Sequence, residues 1–235
     1  MQTGILYLIP SLLSPDNLEN QWVIGTPELV QKIKFYAVEE IKTARRFLKK
    51  LHKPIDIDEL TFINCDKKAS TEDISKSINL LKNGNDVALI SEAGCPSVAD
   101  PGGKLVAAAH ENNIKVCPIV GPSSIILALM ASGLNGQNFS FVGYIPINKQ
   151  ERIKRIKELE ARSVRDRQTQ IFIETPYRNN PLMQDLVKSL SGNTKLCVAK
   201  NITGEDEFIS TKSVKNWKNQ VPELHKIPTI FLFQA

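Results

Sequence analysis

The stretch from residue 87 to residue 124 constrains the fold most, because it holds two consecutive strand-turn-helix units. Residues 87–90 form a continuous apolar run, which is typical of a strand covered on both faces. A turn of small residues and proline follows this run, and a helix-length segment follows the turn. Residues 115–120 and the Gly121-Pro122 turn repeat the arrangement. Turns at the carboxyl ends of strands hold ligands in open α/β sheets, so the stretch predicts a ligand site and makes an enzyme the first hypothesis.

The first turn contains more small residues than a simple connection needs. Ala93 and Gly94 carry almost no side chain, so a ligand could approach the main chain there, and Pro96 stiffens the turn. Asp100 stands before Pro101, which is typical of a helix N-cap with proline at the first helical position. Two interpretations of Asp100 are therefore open, a helix cap and a ligand contact.

The helix predicted after the second turn, residues 123–132, is apolar around most of its circumference. A helix without a polar face is normally buried, so we expect this one to pack in the core or between two domains. Gly133 follows it and suits the left-handed conformation that ends many helices. Neither turn has the glycine spacing of a dinucleotide-binding loop or of a P-loop.

Strand-like and helix-like segments alternate along the chain. The predicted strands are residues 4–9, 87–90, 115–120, 170–174, 195–199 and 229–233. The predicted helices are residues 30–51, 71–83, 102–112, 123–132, 150–161 and 181–190. This alternation predicts an α/β fold with mainly parallel strands. We expect an N-terminal α/β domain, residues 1–118, and a C-terminal α/β domain, residues 119–235, and clefts between domains favour ligands.

Composition is that of an ordinary globular protein, with 235 residues, 42% of them hydrophobic, and a net charge of +5. The apolar run at residues 4–10 is too short for a secretory signal, and no stretch reaches the length of a membrane helix. We therefore expect a cytoplasmic protein. The four cysteines form no C-x-x-C pair and the three histidines are scattered, so the sequence predicts no metal site.

Basic residues form two clusters. The members of the first recur three to four residues apart in a segment of helical character: Lys42, Arg45, Arg46, Lys49, Lys50 and Lys53. This basic stripe is either a solvated surface or a phosphate contact. The second cluster, residues 152–167, is interrupted by glutamates, so it predicts an ordinary solvated helix with internal ion pairs.

Several motifs carry a resemblance to a known family. The pattern S-D-A-G-T-P-x-x-S-D-P-G is matched at residues 91–102, and P-G-P-S-A is matched at residues 120–124. Further matches are A-S-G-L at residues 131–134, F-x-G-x-x-P at residues 141–146, and a Y-E-S-P-H-R-like block at residues 173–178. Through them the chain resembles the S-adenosyl-L-methionine (SAM)-dependent tetrapyrrole methylase superfamily. Within it, the chain is similar to the ribosomal RNA small subunit methyltransferase I branch, which methylates a cytidine ribose 2'-hydroxyl.

The resemblance implies a two-domain tetrapyrrole methylase-like fold that holds SAM in the cleft between the domains. It also implies a homodimer and a partner in ribosomal RNA or the small ribosomal subunit. The matched positions that it assigns to the cofactor are Ser91, Glu92, Ala93, Gly94, Pro96, Asp100, Gly121, Pro122, Ser123, Ser124, Ala199, Pro228 and Thr229. We further hypothesise that Gly94 and Gly121 admit the cofactor against the main chain.

Carboxylates in matched motifs are the candidate general bases, and these are Glu39, Glu40 and Glu174. The alternatives are a local contact of Glu39 or Glu40 with Lys42 or Thr43, and a pair between Glu174 and Arg178. The residues that we expect to contact RNA phosphate are Lys42, Arg45, Arg46, Lys49 and Arg178.

The N-terminal third departs from the branch, which leaves the acceptor open. The turn A-T-P-I-G-N-L keeps only its proline at residues 9–15, and E-D-T-R becomes Glu39-Glu40-Ile41-Lys42. One alternative is a methylase of the same fold that acts on a tetrapyrrole or another acceptor. An alternative of another class is a non-catalytic RNA-binding or ribosome-associated module.

Overall fold

The computed structural model describes residues 2–15, 25–218 and 220–235. The chain divides into two compact units, Met1–Ser123 and Ser124–Ala235. The predicted boundary after residue 118 lies a few residues before this division, so most of the Gly-Pro-Ser-Ser turn belongs to the first unit.

The first unit alternates strands and helices along the chain. Its elements are β1 (Ile5–Leu8), α1 (Thr26–Lys32), β2 (Phe35–Val38), α2 (Ile41–Leu51), β3 (Thr61–Asn64), α3 (Thr71–Lys82), β4 (Val87–Ile90), α4 (Gly103–Glu111) and β5 (Lys115–Pro118). Within the described residues the strands form one five-stranded sheet in the order β3-β2-β4-β1-β5, and every pairing is parallel.

The β4 strand shows how this sheet is covered on both faces. Ala88 and Ile90 belong to one apolar cluster, whereas Val87 and Leu89 belong to another. Alternate residues of a strand point to opposite faces, so the two clusters lie on opposite sides of the sheet. Burial on both faces explains why β4 is apolar throughout, and it leaves the strand ends as the places for polar side chains.

The second unit is built around a different sheet. Its elements are α5 (Ser124–Ser132), β6 (Phe139–Tyr144), α6 (Lys149–Asp166), β7 (Thr169–Ile173), a 3-10 turn (Pro176–Arg178), α7 (Asn179–Ser189), β8 (Lys195–Lys200), β9 (Phe208–Ser213), α8 (Val214–Trp217) and β10 (Thr229–Gln234). The described strands run in the order β6-β7-β10-β8-β9. Stacked Phe172 and Phe231 lie in its core, and the buried Trp217 indole donates to the Leu196 carbonyl at 2.8 Å.

The α/β fold is confirmed, but the expectation of mainly parallel strands is wrong for the second unit. Only the β6 and β7 pairing is parallel among the described strands of that sheet, and the other pairings are antiparallel. Antiparallel neighbours such as β8 and β9 need only a short connection, so no helix stands between them to reveal them in the sequence. The sequence pattern does not predict four of the described strands, which are β2, β3, β6 and β9.

The predicted helix over residues 30–51 is also wrong, since it contains β2 between α1 and α2. Phe35–Val38 is an apolar run without the polar positions of an amphipathic helix, and it pairs with β3 and β4. Sequence periodicity alone does not separate such a short buried strand from a buried helix segment.

The structure confirms one predicted helix end and contradicts another. Gly133 follows α5 with a φ of +68°, which confirms the predicted left-handed stop. Asp100 is not the cap of α4, because that helix begins at Gly103 after Gly102, and no side chain caps it. The tight loop from Asp100 to Gly102 carries the chain past the expected cap position.

The apolar helix α5 is not buried on every side, contrary to expectation. Ile125, Ala128 and Leu129 are buried, but Ile126 is 44% exposed and Met130 is 74% exposed. Among the described residues, no helix is long and apolar enough to cross a membrane.

Candidate functional site

The turn after β4 is fixed against the segment that follows β1. Gly94 and Ser11 exchange two main-chain hydrogen bonds, of 2.9 and 3.2 Å between nitrogen and oxygen. The Ser11 hydroxyl also donates to the Ser91 carbonyl at 2.9 Å, and both serines are buried. Ser11 lies in the turn that keeps only the family's proline. Apart from its short hydroxyl side chain, nothing in the sequence predicts this contact.

The same turn is joined to the second predicted cofactor turn inside the first unit. The Cys95 thiol donates to the Pro122 carbonyl at 3.4 Å. A Cβ atom placed on Gly94 would lie 3.4 Å from the same carbonyl oxygen and 3.1 Å from a methyl of Leu13. The structure therefore brings residues 91–96 and 121–122 together, as we expect if both turns contact one ligand. Gly121, Pro122, Ser123 and Ser124 are half-buried.

The first turn holds an unusual concentration of left-handed backbone. Gly94 has a φ of +73° and Gly102 a φ of +121°, while Ser97 and Ala99 have values of +66° and +64°. Left-handed residues other than glycine are costly, and they persist where the surrounding structure holds them, often at functional sites. Ser91 and Pro96 are buried, while Glu92 and Ala93 are exposed at the tip of the turn.

Three carboxyl groups interact at the carboxyl ends of β2 and β4. Burial raises the pKa of Glu39 above its ordinary value, and the charges of Asp100 and Glu92 raise it further. Lys67 and a hydrogen bond from the Glu92 main-chain N–H lower that pKa but do not cancel the rise. The Glu39 carboxyl therefore has a raised pKa and lies beside an exposed turn. Lys67 was not among the predicted site residues.

Asp100 belongs to the same group of carboxyls. Burial raises its pKa, and Glu92 adds to the rise, whereas a hydrogen bond from the Ser91 side chain and the charge of Lys67 lower it. The structure shows no side-chain cap at the start of α4, so Asp100 does not have the predicted capping role. This leaves the ligand-contact interpretation of Asp100 as a proposal.

Glu40 has a local role that matches its alternative interpretation. It is exposed, it is the N-cap of α2, and its carboxylate accepts from the Lys42 main-chain N–H at 3.1 Å.

A cavity of about 330 Å³ lies between α2 and the turns after β1 and β4. Its lining residues are Ser11, Leu12, Leu13, Ser14, Pro15, Thr43, Ala44, Arg46, Phe47, Lys50, Ile90, Ser91, Glu92 and Ala93. Two members of the basic stripe, Arg46 and Lys50, thus border the same space as the tip of the first turn.

Other members of the stripe have partners within the unit. Arg45 lies 3.6 Å from Asp58 and over the Phe62 ring, 5.6 Å from its centroid. The Lys49 ammonium donates to the Ile55 carbonyl at 2.5 Å. Lys42, Arg45, Arg46, Lys49 and Lys50 are all exposed on α2. The stripe therefore forms one exposed basic face, part of which is held in place by its neighbours.

In the second unit, the predicted pair between Glu174 and Arg178 is confirmed. The Arg178 Nε donates to Glu174 Oε1, and this hydrogen bond is the main cause that raises the pKa of Arg178. The Glu174 side chain is 6% exposed, and within the described part of the chain its Oε2 has no hydrogen-bond partner. Arg178 remains 36% exposed.

Of the remaining cofactor candidates, only Pro228 lines a second described cavity, of about 540 Å³. Its lining residues are Lys200, Asn201, Glu205, Asp206, Glu207, Phe208, Lys226, Ile227 and Pro228. Pro228 therefore borders open space, whereas Ala199 is fully buried in β8 and Thr229 is 5% exposed. No cluster of metal-ligating side chains occurs in residues 2–15, 25–218 or 220–235.

Comparison with known proteins identifies the class of protein to which this fold and these joined turns belong. The family model of the tetrapyrrole (corrin/porphyrin) methylases matches residues 27–216, and the chain belongs to this family. The solved methyltransferase CobJ shares the fold, with a TM-score of 0.64 at 14% identity, over 100% of this chain and 95% of that one.

Curated relatives carry the name ribosomal RNA small subunit methyltransferase I, which confirms the branch that the motifs resemble. One from Hydrogenobaculum sp. is 31% identical over 94% of this chain and 89% of its own length. One from Micromonospora olivasterospora is 31% identical over 87% of this chain and 61% of its own length. One from Mesorhizobium japonicum is 38% identical over 60% of this chain and 46% of its own length. The chain thus spans less than two thirds of the length of the last two relatives.

Proposed function

We propose that this chain is a SAM-dependent methyltransferase that methylates a ribose 2'-hydroxyl in small-subunit ribosomal RNA. The main support for this proposal is the hydrogen bond from Cys95 to Pro122, which joins the two turns beside the carboxyl ends of parallel strands. The chain in which these turns meet belongs to a methylase family. The name of the curated relatives supports the RNA acceptor.

The first turn fits a cofactor that is held by main-chain atoms. At Gly94, a Cβ atom would come into tight contact with Leu13, so the turn leaves a narrow space that only glycine keeps open. Exposed Glu92 and Ala93 present their main chain at the tip. When bound, SAM supplies an electrophilic methyl carbon on a sulfonium sulfur. The adenosine contacts predicted at Ala199, Pro228 and Thr229 stay a prediction.

Glu39 is the best placed of the three candidate bases. A ribose hydroxyl is a weak acid, so its oxygen becomes a better nucleophile when a carboxylate accepts its proton. Glu40 caps α2 and Glu174 is paired with Arg178, whereas the Glu39 carboxylate has a raised pKa beside the exposed turn. The chain's own part is then to align the acceptor, exclude water and accept the proton at a Glu39 oxygen.

The exposed basic face of α2 is proposed to contact RNA phosphate. Arg46 and Lys50 border the cavity next to the first turn, which places positive charge beside the proposed methyl-transfer site. Contacts of this kind release counterions, so we expect RNA binding to weaken as salt rises.

We propose a cytoplasmic location, because methylation of ribosomal RNA would take place in the cytoplasm.

We also propose a homodimer, supported by the exposed apolar side chains of α5. Met130 is 74% exposed and Ile126 is 44% exposed on a helix with few polar residues, and a second copy would remove them from water. Light scattering on the purified protein tests this. We expect a dimer for the natural chain and a monomer for Met130→Glu, and a natural chain that is monomeric would contradict it.

Two measurements separate the proposed function from its alternatives. Calorimetric titration with SAM is expected to show binding, and a protein that binds no SAM would instead support the non-catalytic RNA-binding module. Transfer of labelled methyl is then compared between small ribosomal subunits and a tetrapyrrole acceptor. Label in the tetrapyrrole alone would support the same-fold methylase and contradict the RNA acceptor.

A further inference from the structure

Tyr177 lies in the 3-10 turn of the second unit, away from the core, and two other side chains surround its ring. The residue is 66% exposed. His225 meets the ring edge-on, with 5.9 Å between centroids and 80° between planes. The Lys226 ammonium lies over the ring, 5.8 Å from its centroid, at the distance of a cation-π contact. An aromatic side chain is thus held at the surface with a positive charge beside it.

Main-chain and side-chain hydrogen bonds hold the two segments together. The Lys226 main-chain N–H donates to the Pro176 carbonyl at 3.0 Å. The Asn179 side chain donates to the Ile227 carbonyl at 2.7 Å, and the Asn180 side chain accepts from the Leu224 N–H at 2.9 Å. The fold therefore holds the main chain of Lys226 beside the turn that carries Tyr177.

Lys226 itself has a left-handed backbone, with a φ of +61°. Residues other than glycine keep this conformation only where the surrounding structure imposes it. The nearby carboxylate of Glu223 accepts from the His225 main-chain N–H and from Asn180, so an internal contact occupies it. Arg178 follows Tyr177 in the same turn, and its side chain is 36% exposed and bonded to the Glu174 carboxylate.

We propose that Tyr177 is a stacking platform for an unpaired base of the RNA substrate, with Lys226 contacting an adjacent phosphate. This inference rests on the proposed function, because it assumes an RNA acceptor. Exposed aromatic rings combined with cations bind single-stranded nucleic acid, since every base offers a flat π face. Bases within a duplex are already stacked on one another, so the platform selects an unpaired segment.

The test compares variants of Tyr177 in binding a short single-stranded oligoribonucleotide and an RNA duplex of equal length. Tyr177→Leu is expected to weaken single-strand binding roughly tenfold, the usual effect of losing one stacked base, and to leave duplex binding unchanged. Tyr177→Phe keeps the ring and is expected to bind as the natural chain does. Phe139→Leu, a change of an exposed aromatic residue on β6, is the matched control and is expected to have no effect.

Salt dependence separates stacking from charge. Lys226→Ala is expected to reduce the slope of log affinity against log salt by about one, while Tyr177→Leu leaves the slope unchanged. If the leucine variant folds poorly, Tyr177→Trp replaces it, and RNA should quench its added fluorescence relative to the natural chain. Equal single-strand affinity in Tyr177→Leu, or no added quenching in Tyr177→Trp, would overturn the proposal.

The two proposals fail in distinguishable ways. If the natural chain transfers no methyl group to small-subunit RNA, the proposed function is wrong and the RNA platform falls with it. If the natural chain methylates that RNA and Tyr177→Leu binds it unchanged, only the platform is wrong.

Discussion

At the scale of single residues, Gly94 and Gly121 are glycines for different reasons. Gly94 has a φ of +73° and faces a narrow space beside Leu13 and the Pro122 carbonyl. A Cβ atom on Gly121 would instead lie 2.4 Å from the Cβ of Pro10, so packing within the unit already requires glycine there. The hypothesis that glycine admits the cofactor is therefore testable at Gly94 but not at Gly121.

Gly94→Val is expected to abolish SAM binding while leaving a folded protein. The left-handed backbone costs about 1–2 kcal/mol of unfolding free energy, and the tight contact of the new side chain with Leu13 adds to this cost. The total is expected to stay below the stability of a typical domain. Calorimetry measures SAM affinity and urea unfolding measures stability. Gly103→Ala is the control, since Gly103 has open space around it, and it is expected to bind SAM normally. Normal SAM affinity in a folded Gly94→Val variant would count against the main-chain cofactor site.

Glu39→Gln is expected to lower kcat by roughly 10²–10⁴-fold, the usual range for loss of a general base. SAM affinity should remain unchanged, because the variant keeps the shape of the side chain. Glu40→Gln is the control, and its exposed N-cap position predicts little effect on kcat. The measurement is single-turnover methyl transfer at saturating SAM, and equal rates in the two variants would remove Glu39 from the mechanism.

The raised pKa of Asp100 predicts how the stability of the protein changes with pH. Its pKa is raised in the folded state, so the folded protein binds this proton more tightly than the unfolded chain does. The resulting stabilisation is present at low pH and is lost as pH rises through the raised pKa. Asp100→Asn is therefore expected to raise the thermal midpoint at neutral pH, with the gain shrinking toward pH values of about 4. A constant difference across that range would show that the charge is not the cause.

At the scale of elements, the helix α6 combines solvated and buried charges. Its surface ion pairs, such as Arg155 with Glu158 and Arg162 with Asp166, confirm the predicted solvated helix. Arg152 is the exception. Its guanidinium bonds the Asp185 carboxylate of α7 at 2.6 Å, and the two side chains are only 13% and 7% exposed. Sequence spacing did not distinguish Arg152 from its exposed neighbours, because its partner lies in another helix.

Asp185→Ala is expected to lower the unfolding free energy by about 3–5 kcal/mol, because it leaves the Arg152 charge buried without its partner. Asp166→Ala is the control, and loss of its more exposed, solvent-screened ion pairs is expected to leave the unfolding free energy nearly unchanged. Denaturant unfolding of both variants checks the contrast. Similar losses in the two variants would contradict the buried ion pair.

Elements with a local signal could be predicted, and those defined by distant partners could not. The strand over residues 87–90 has the predicted bounds, and α3 begins at the predicted Thr71, where Ser70 and Asp73 form a capping box. By contrast, β2 is stabilised by its pairing with β3 and β4, and the apolar run Phe35–Val38 is too short to be told from a buried helix segment by its periodicity.

At the scale of the whole molecule, the order of motifs predicts the family and the turns of the site. It does not predict the long-range contacts that hold those turns in place. The bond from Ser11 to Ser91 spans 80 residues of sequence, and Cys95 to Pro122 spans 27. The charge of Lys67 acts on Glu39 from the segment after β3. Such contacts follow from the strand order of the sheet, in which β4 lies between β1 and β2.

Mass mapping of small-subunit ribosomal RNA from a deletion strain, before and after incubation of its small subunits with the purified protein and SAM, tests the central claim most directly. We predict one added methyl group on the ribose of a single nucleotide, which Glu39→Gln fails to add at a comparable rate. An RNA whose mass is unchanged while the protein binds SAM and remains folded would contradict the proposed function.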